Sequence, residues 1–210
     1  MNKEEQLRIV VITLIICCIC VVIFEVFNIK ILTLHWIRSM FSISTVLTFW
    51  WGFYFKYGWR IPILNCILKK EDINGTWFGK YESKRLIDNA IFTGEISLVI
   101  KQSYLNIDIT SYTEKYTSYS YSEVLAKEKK SERNELIYVY SQKQLSSYDH
   151  NIRKGTSELE LTINKAKAEL YGKFWTNSAS VGHLKVKRVS KNHIVFFEDA
   201  KLKFKEGENQ

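Results

Sequence analysis

Cysteine is almost absent outside the N-terminal part of the chain. The 210-residue sequence has four cysteines, three of them in the first apolar run and the last at Cys66. A small disulfide-stabilised domain would need several cysteines spread along its length. The distribution therefore excludes a disulfide framework for the part of the chain after Cys66, and it indicates a reducing compartment.

The sequence also lacks the motifs of catalytic and metal sites. It has no Gly-rich phosphate loop, no nucleophile-elbow pattern and no His or Cys cluster at metal-ligand spacing. The four histidines are scattered, and the acidic residues fall on outward strand positions, where solvent exposure is their ordinary role. We therefore predict a protein that is not an enzyme and uses no metal or cofactor.

Positive charge is concentrated near the N-terminus and is scarce in the remainder. Residues 1–70 carry roughly +5 of the formal +8, which leaves roughly +3 for residues 71–210. A domain that grips a duplex neutralises many phosphates and needs a larger basic excess. We therefore predict no DNA or RNA partner, and we assign the basic residues to the flanks of membrane segments.

Two long apolar runs predict a transmembrane helical hairpin in residues 1–70, with helices at about 7–27 and 39–59. The first run has Glu25 as its only ionisable group after Arg8, and about twenty helical residues cross a hydrocarbon core of about 30 Å. The second run ends in crowded aromatics beside Lys56 and Arg60, as an interfacial belt does. A cleaved signal peptide is the competing interpretation, but no small-residue cleavage site follows the first run.

The orientation of the hairpin follows from its flanking charges. The link between the runs is short, so both termini lie on one side of the membrane. The termini carry the larger share of Lys and Arg, whereas the link has only Lys30 and Arg38. The positive-inside rule therefore predicts that both termini are cytoplasmic.

From Asn74 onward the apolar period becomes two, which is typical of half-buried strands. The predicted strands are Thr76–Tyr81, Phe92–Lys101, Leu105–Tyr112, Tyr116–Ala126, Leu136–Gln142, Glu158–Ile163, Ala168–Trp175 and Gly182–Val189. Short polar links favour antiparallel neighbours, because parallel pairs need long crossovers. Residues 71–210 are thus predicted to form a cytoplasmic domain of about eight antiparallel strands, closed into a small up-and-down, lipocalin-like barrel. The tail beyond Asn192 fits either a short last strand or a capping helix.

Several positions that are predicted to face inward carry side chains that are unusual in a barrel core. They are Trp77, Tyr81, Tyr138, Tyr140 and Arg188. An inward arginine on an apolar strand face is costly unless it is paired or holds an anion. Two interpretations stay open: Arg188 stacks on Trp77 as a plug, or these residues contact a ligand.

Cations and flat aromatic surfaces are also predicted at the open mouth. Arg153 and Lys154 lie in a predicted link, and Lys173 lies close to Trp175. Cations pair with phosphates and aromatic rings stack on bases. A mouth of this kind would suit a small anionic ligand that carries bases.

The order of these features resembles a known family. The segments that carry the resemblance follow the two apolar runs and read NGTWFGKY at Asn74–Tyr81, AELYGKFW at Ala168–Trp175 and GHLKVKR at Gly182–Arg188. The chain resembles the two-transmembrane β-barrel effectors of CBASS, the bacterial anti-phage systems built around a cyclic-nucleotide-making synthase. The resemblance implies that the barrel binds a cyclic dinucleotide and that the chain self-associates in the bacterial inner membrane. It also implies disruption of that membrane and death of the infected cell.

Two other functions are compatible with the same sequence. A membrane-tethered, lipocalin-like carrier would hold a lipid or another apolar ligand in a dry interior, whereas phosphates need inward Arg or Lys. A purely structural membrane anchor would have a plugged barrel that binds nothing. The content of the barrel interior distinguishes the three.

Overall fold

In the computed structural model, the described residues are 3–26, 35–65, 68, 70–127, 133–144, 153–164 and 167–208. Their contacts divide the chain into two compact units. The helical unit contains residues 1–70 and 103–105, and the barrel unit contains residues 71–102 and 106–210.

The helical unit contains three α-helices: α1 (Lys3–Val26), α2 (His35–Lys56) and the short α3 (Pro62–Asn65), with a 3-10 turn at Gly58–Arg60. Within α1, the segment Gln6–Ile23 is long and apolar enough to cross a membrane. Among the helices described, it alone meets that criterion, which corrects the expectation of two such runs. Although α2 has 22 residues, its Trp, Tyr, Ser and Thr residues lower its hydropathy.

Helices α1 and α2 are joined by a hydrogen bond, and an aromatic cluster forms around the C-terminal end of α2. The indole Nε1 of Trp51 donates to Thr13 Oγ1 over 3.2 Å. Tyr54 and Trp59 are fully buried and pack with Leu68 and Tyr104 in one core of the helical unit. The aromatic end of the second apolar run is therefore partly a packed core, although Phe49 and Phe53 remain exposed.

The barrel unit is a closed barrel of eight antiparallel strands in sequence order. The strands are β1 (Gly75–Arg85), β2 (Ile91–Gln102), β3 (Ile107–Tyr112), β4 (Tyr116–Lys127), β5 (Asn134–Gln144), β6 (Arg153–Asn164), β7 (Lys167–Thr176) and β8 (Ser180–Ser190). The up-and-down order confirms the predicted antiparallel barrel, and its likeness to lipocalins stays a prediction. Pairing of β1 with β8 closes the sheet, so the first and last strands are not left as open edges.

Apolar side chains fill the end of the barrel where β1 begins and β2 ends. The buried core includes Ile73, Leu98, Ile100, Ile107, Ile109, Leu136, Leu159, Leu161, Leu170 and Val186. These residues follow the predicted period of two on β2, β3 and β6. One expectation was wrong: Leu105 lies outside β3 and is 60% exposed, because that strand begins only at Ile107.

The tail left undecided by the sequence is a helix, α4 (Phe197–Glu208), which covers the outside of β1. Phe78 points outward but is only 1% exposed, because its ring lies 5.6 Å from that of Phe197 and 5.3 Å from that of Phe204. Lys201 Nζ lies 2.7 Å from a carboxylate oxygen of Glu95 on β2. Helix α4 thus shields an apolar patch on the outer wall.

Candidate functional site: a cavity inside the barrel

The other end of the barrel interior contains a cavity of about 930 Å³. Its lining comes from all eight strands and from the β1–β2, β3–β4 and β7–β8 turns, which form the open end. Lining residues include Tyr81, Ser83, Arg85, Ile87, Ile96, Ser111, Glu114, Lys115, Tyr116, Ser118, Tyr138, Tyr140, Gln142, Arg153, Ser157, Phe174, Thr176 and Leu184. The cavity is therefore a pocket in the interior of the barrel unit.

A sealed floor closes the opposite end. Trp77 is fully buried, and its indole Nε1 donates to the carbonyl oxygen of Ile73 over 2.9 Å. The Arg188 guanidinium lies 5.6 Å from the centre of the Trp77 ring and donates to the Asp72 carbonyl oxygen over 2.9 Å. Gln102 supports the same segment by accepting a hydrogen bond from the Ile73 backbone N–H.

Two tyrosines on β5 form the inner wall of the cavity. The rings of Tyr138 and Tyr140 lie 5.8 Å apart, and both hydroxyls interact with Ser157 on the neighbouring β6. Burial raises the pKa of Tyr138 to about 12, against the lowering effect of its hydrogen bond with Ser157. Burial also raises the pKa of Tyr140. Both side chains are therefore neutral phenols at pH 7, able to donate and to accept hydrogen bonds.

Glycines make room for two of the tyrosine rings. A Cβ at Gly94 would lie 2.7 Å from the hydroxyl of Tyr81, and a Cβ at Gly155 would lie 2.5 Å from that of Tyr140. The hydroxyl end of each ring therefore occupies space that a side chain at the neighbouring strand position would fill. Tyr81 also meets Phe174 edge-on, with ring centres 6.4 Å apart.

Small hydroxyl side chains complete the wall between the apolar floor and the open end. Ser111 and Ser118 are buried and hydrogen bond to each other across β3 and β4. Ser157 is 2% exposed and faces the tyrosine pair. Buried hydroxyls of this kind can exchange such internal bonds for bonds to a polar ligand.

Cations lie at the rim of the cavity. The Arg153 guanidinium lies 5.3 Å from the centre of the Tyr116 ring, and its NH1 donates to the Tyr116 hydroxyl over 3.4 Å. Arg85 and Lys115 also line the rim, where Glu114 is the neighbouring acid. Arg85 is paired with Asp88 over 3.2 Å, but both side chains are about half exposed, so this pair contributes little stability.

The structure brings four of the eight predicted site residues to the cavity. Tyr81, Tyr138, Tyr140 and Arg153 all line it. Arg153 does so because β6 begins at that residue, five residues before the predicted start, and continues the inward alternation through Gly155 and Ser157.

The other four predicted site residues lie elsewhere. Trp77 and Arg188 form the floor described above, which matches the plug interpretation of their contact. Lys173 and Trp175 alternate with the lining residues Phe174 and Thr176, so they point to the outside of β7. The Trp175 side chain is 44% exposed there.

The sequence interpretation did not include the hydroxyl wall or the Tyr116–Arg153 pair. Ser157 is in phase with the inward residues Leu159 and Leu161, and Ser111 is in phase with Ile107 and Ile109. Extending the apolar alternation of each strand into its polar end would have identified these serines. The signal for these serines was therefore the alternation of inward and outward positions, which continues along each strand beyond its last apolar residue.

The arrangement provides hydrogen bonding, ring stacking and charge pairing in one enclosed space. Within the described segments, no group of three His, Cys, Asp or Glu side chains is placed to hold a metal ion. These groups have the chemistry to contact a polar, aromatic and anionic molecule.

Comparison with known proteins identifies a family and a similar protein. Residues 68–188, more than half of the chain, match the family described as Cap15, cyclic dinucleotide receptor domain. The chain is also 27% identical over 157 residues to CD-NTase-associated protein 15 of Staphylococcus schleiferi, an alignment that covers 73% of this chain and 81% of that relative.

Proposed function

This chain belongs to the family of Cap15 cyclic dinucleotide receptor domains, and we propose that the cavity in its barrel is the receptor site of a CBASS membrane effector. The observation that carries the proposal is the division of the cavity into a neutral, aromatic wall and a cationic rim. Its volume of about 930 Å³ lies within the range of about 300–1,000 Å³ that small-molecule sites occupy.

The charge distribution suggests how a cyclic dinucleotide lies in the cavity. Burying a phosphate without a paired cation is costly, and the inner wall around Tyr138, Tyr140 and Ser157 has no charged side chain. The bases therefore enter, stack on the tyrosines and hydrogen bond to the hydroxyls. The phosphates remain at the rim, where Arg153 can leave the Tyr116 hydroxyl and pair with them.

The helical unit is proposed to anchor the protein as a hairpin in the bacterial inner membrane, with both termini cytoplasmic. Helix α1 carries the apolar segment Gln6–Ile23. The 22 residues of α2 extend over about 33 Å, which is enough for a core of about 30 Å. The hydrogen bond from Trp51 to Thr13 supports pairing of the two helices, because polar contacts hold helices together in lipid.

We further propose that ligand binding shifts the chain towards a self-associated state whose helices disrupt the inner membrane, so that the infected cell dies. A ligand can drive this change only if it binds the associated state more tightly than the single copy. The exposed aromatic residues Phe49 and Phe53 of α2 are available for contacts with lipid or with other helices.

The lipid-carrier alternative requires a different interior. The buried hydroxyls of Ser111, Ser118 and Ser157 already hydrogen bond within the protein, so an apolar ligand would gain nothing from them, whereas a polar ligand can exchange bonds with them. The floor is apolar, but it is filled by side chains such as Leu98 and Val186. The polar lining of the open space therefore favours the nucleotide.

Calorimetric titration of the full chain in detergent tests the proposal. The panel is cyclic di-GMP, cyclic di-AMP, cyclic di-UMP and cyclic GMP-AMP, and one member is expected to bind. Arg153→Ala should weaken that binding by about 10- to 100-fold, the value of a charge-assisted hydrogen bond. Lys154→Ala is the matched control, because it removes the same charge from the exposed neighbour on the outer face.

Two outcomes count against this function. Binding of no panel member, with a lipid released from the purified protein instead, would favour the carrier. Equal losses in Arg153→Ala and Lys154→Ala would show that general charge, not the cavity rim, attracts the ligand.

A further inference from the structure

Arg85, the last residue of β1, places a cation at the open end of the cavity. Its side chain lines the cavity, and so does the ring of Phe92 on the neighbouring β2. The guanidinium lies 5.0 Å from the centre of that ring, and its Nη1 donates to Oδ2 of Asp88 over 3.2 Å. The ring and the carboxylate therefore hold the guanidinium at the rim.

Asp88 divides its two carboxylate oxygens between two partners. Oδ2 accepts the hydrogen bond from Arg85, whereas Oδ1 accepts one from the backbone N–H of Ala90 over 3.1 Å. The second bond belongs to the β1–β2 turn, where the Arg85 backbone N–H also donates to the Ala90 carbonyl oxygen over 2.9 Å. Side-chain bonds to the backbone two residues on are made by Asn as well as by Asp. The turn therefore has supports that are independent of the ion pair.

The strand register places Arg85 at the same level of the barrel as the start of β6. Arg85 pairs with Ser180 on β8, which pairs with Thr176 on β7. Thr176 pairs in turn with Gly155 on β6, two residues after Arg153. Two strands separate the two arginines on one side of the barrel, and four separate them on the other. The arginines therefore reach the open end from different walls.

We propose that Arg85 is a second phosphate-binding residue of the cavity and that Asp88 occupies its guanidinium in the free protein. The inference rests on the proposed function and adds the second phosphate contact to it. A cyclic dinucleotide has two phosphates, which the two nucleosides separate in the ring. When Arg153 pairs with one phosphate, Arg85 is placed on another wall to pair with the other. The Asp88 carboxylate resembles the phosphate that replaces it, because both present two oxygens to the planar guanidinium.

Replacement of Asp88 by a phosphate costs the protein little. The Arg85 and Asp88 side chains are 48% and 47% exposed, and ion pairs of this exposure contribute little stability. Asp88 keeps its bond to Ala90 when Arg85 turns to the ligand. It makes one bond to the guanidinium, whereas a phosphate can accept two parallel bonds. Asp88 is thus a weak competitor that the ligand displaces and that lowers the affinity slightly.

Calorimetric titration of the full chain in detergent with cyclic di-GMP, cyclic di-AMP, cyclic di-UMP and cyclic GMP-AMP tests both parts of the inference. Arg85→Ala should weaken the binding that wild type shows by about 10- to 100-fold, because it removes charge-assisted bonds to a phosphate. Asp88→Asn should strengthen that binding about two- to fivefold, the value of an exposed ion pair that no longer competes. The Asn side chain keeps an oxygen for the Ala90 N–H, so the turn is preserved.

Glu206→Gln is the matched control for the loss of a negative charge. Glu206 forms an exposed ion pair with Lys203, three residues earlier on α4, as Asp88 does with Arg85 in the turn. Removal of the Glu206 charge outside the barrel should leave the affinity unchanged. Chemical unfolding of Arg85→Ala and Asp88→Asn should give midpoints close to that of wild type, so that a changed affinity is not a folding defect.

A double-mutant cycle shows whether Asp88 acts through Arg85. In an Arg85→Ala background there is no guanidinium to release, so Asp88→Asn should leave the affinity nearly unchanged. The same gain in both backgrounds would instead show general repulsion of the ligand by the carboxylate, and it would overturn the competitor role.

Failure of this inference is distinct from failure of the receptor site. If Arg85→Ala binds as wild type does while Arg153→Ala loses affinity, Arg85 holds no phosphate and the cavity still holds the ligand. An Asp88→Asn affinity equal to that of wild type would overturn the competitor role alone. Binding of no panel member by the wild-type chain would overturn the proposed function and this inference together.

Discussion

Gly94 gives direct control over the position of Tyr81 in the cavity. A Cβ at residue 94 would lie 2.7 Å from both Cε1 and the hydroxyl oxygen of Tyr81, and ordinary contacts begin at 3.4 Å. In Gly94→Ala, the tip of the ring must therefore retreat by about 0.7 Å. The three nearest atoms all belong to the flexible Tyr81 side chain, so the backbone can stay in place.

The expected result is a loss of ligand affinity without a comparable loss of stability. Stacking of a base on an aromatic ring is worth about 1–3 kcal/mol, so displacing Tyr81 should weaken binding about 5- to 150-fold. The stability cost should stay within about 1 kcal/mol, because the strain on one side chain is offset by the conformational entropy that Gly loses on folding. Calorimetry measures the affinity, and chemical unfolding of the full chain measures the stability.

A double-mutant cycle decides whether Tyr81 carries the effect. In a Tyr81→Ala background the clash partner is gone, so Gly94→Ala should have little further effect on affinity. Gly207→Ala, on the exterior helix α4 with no atom near its new Cβ, should bind as wild type does. An equal loss from Gly94→Ala in both backgrounds would refute the displacement of Tyr81 as the cause.

Three further predictions concern the outer wall, the inner wall and an outward aromatic. Phe78→Ala should cost about 3–5 kcal/mol in chemical unfolding, because Phe78 is 1% exposed beneath α4; a loss below about 1 kcal/mol would contradict that packing. Tyr138 has a folded pKa of about 12 against about 10 when unfolded, so its stabilising effect is complete below pH 10 and is lost as pH rises to 12. Thermal unfolding should show that decline, and Tyr138→Phe should make it shallower. Trp175→Ala should leave ligand affinity within about twofold of wild type by calorimetry, because Trp175 points outward; a tenfold loss would place it at the ligand.

The strands were predictable because the barrel wall has an apolar inner face and a solvent-exposed outer face. Alternations such as Leu159 and Leu161 against Glu158 and Glu160 gave all eight strands, and family membership confirmed the resemblance to the CBASS effectors. Polar strand ends carry no such signal. The prediction therefore began β6 at Glu158, although the strand begins at Arg153.

The site was only partly predictable, because its residues differ from those of the core. Tyr138 and Tyr140 were found because they continue the phase of Leu136. Lys173 and Trp175 were chosen for their chemistry. The neighbouring residues Gly172 and Phe174 are the ones at inward positions on β7.

The helical part of the chain was harder to predict than the barrel. Composition alone did not show that Tyr54 and Trp59 become fully buried in a protein core instead of contacting lipid headgroups. The register of α4 over Phe78 depends on contacts across the sequence, which no local pattern contains.

The separation of the barrel interior into a filled floor and a hydroxyl-lined space has a consequence for how such receptors diversify. Residues that hold the fold, such as Leu98 and Val186, are different from those that line the cavity, such as Ser111 and Ser157. If the cavity is the proposed receptor site, exchange of Ser, Thr and Tyr among the lining positions would change which base edges are accepted and would leave the apolar packing intact. A receptor of this kind could therefore adapt to a different nucleotide through a few substitutions at the cavity-lining positions, without first acquiring stabilising mutations elsewhere.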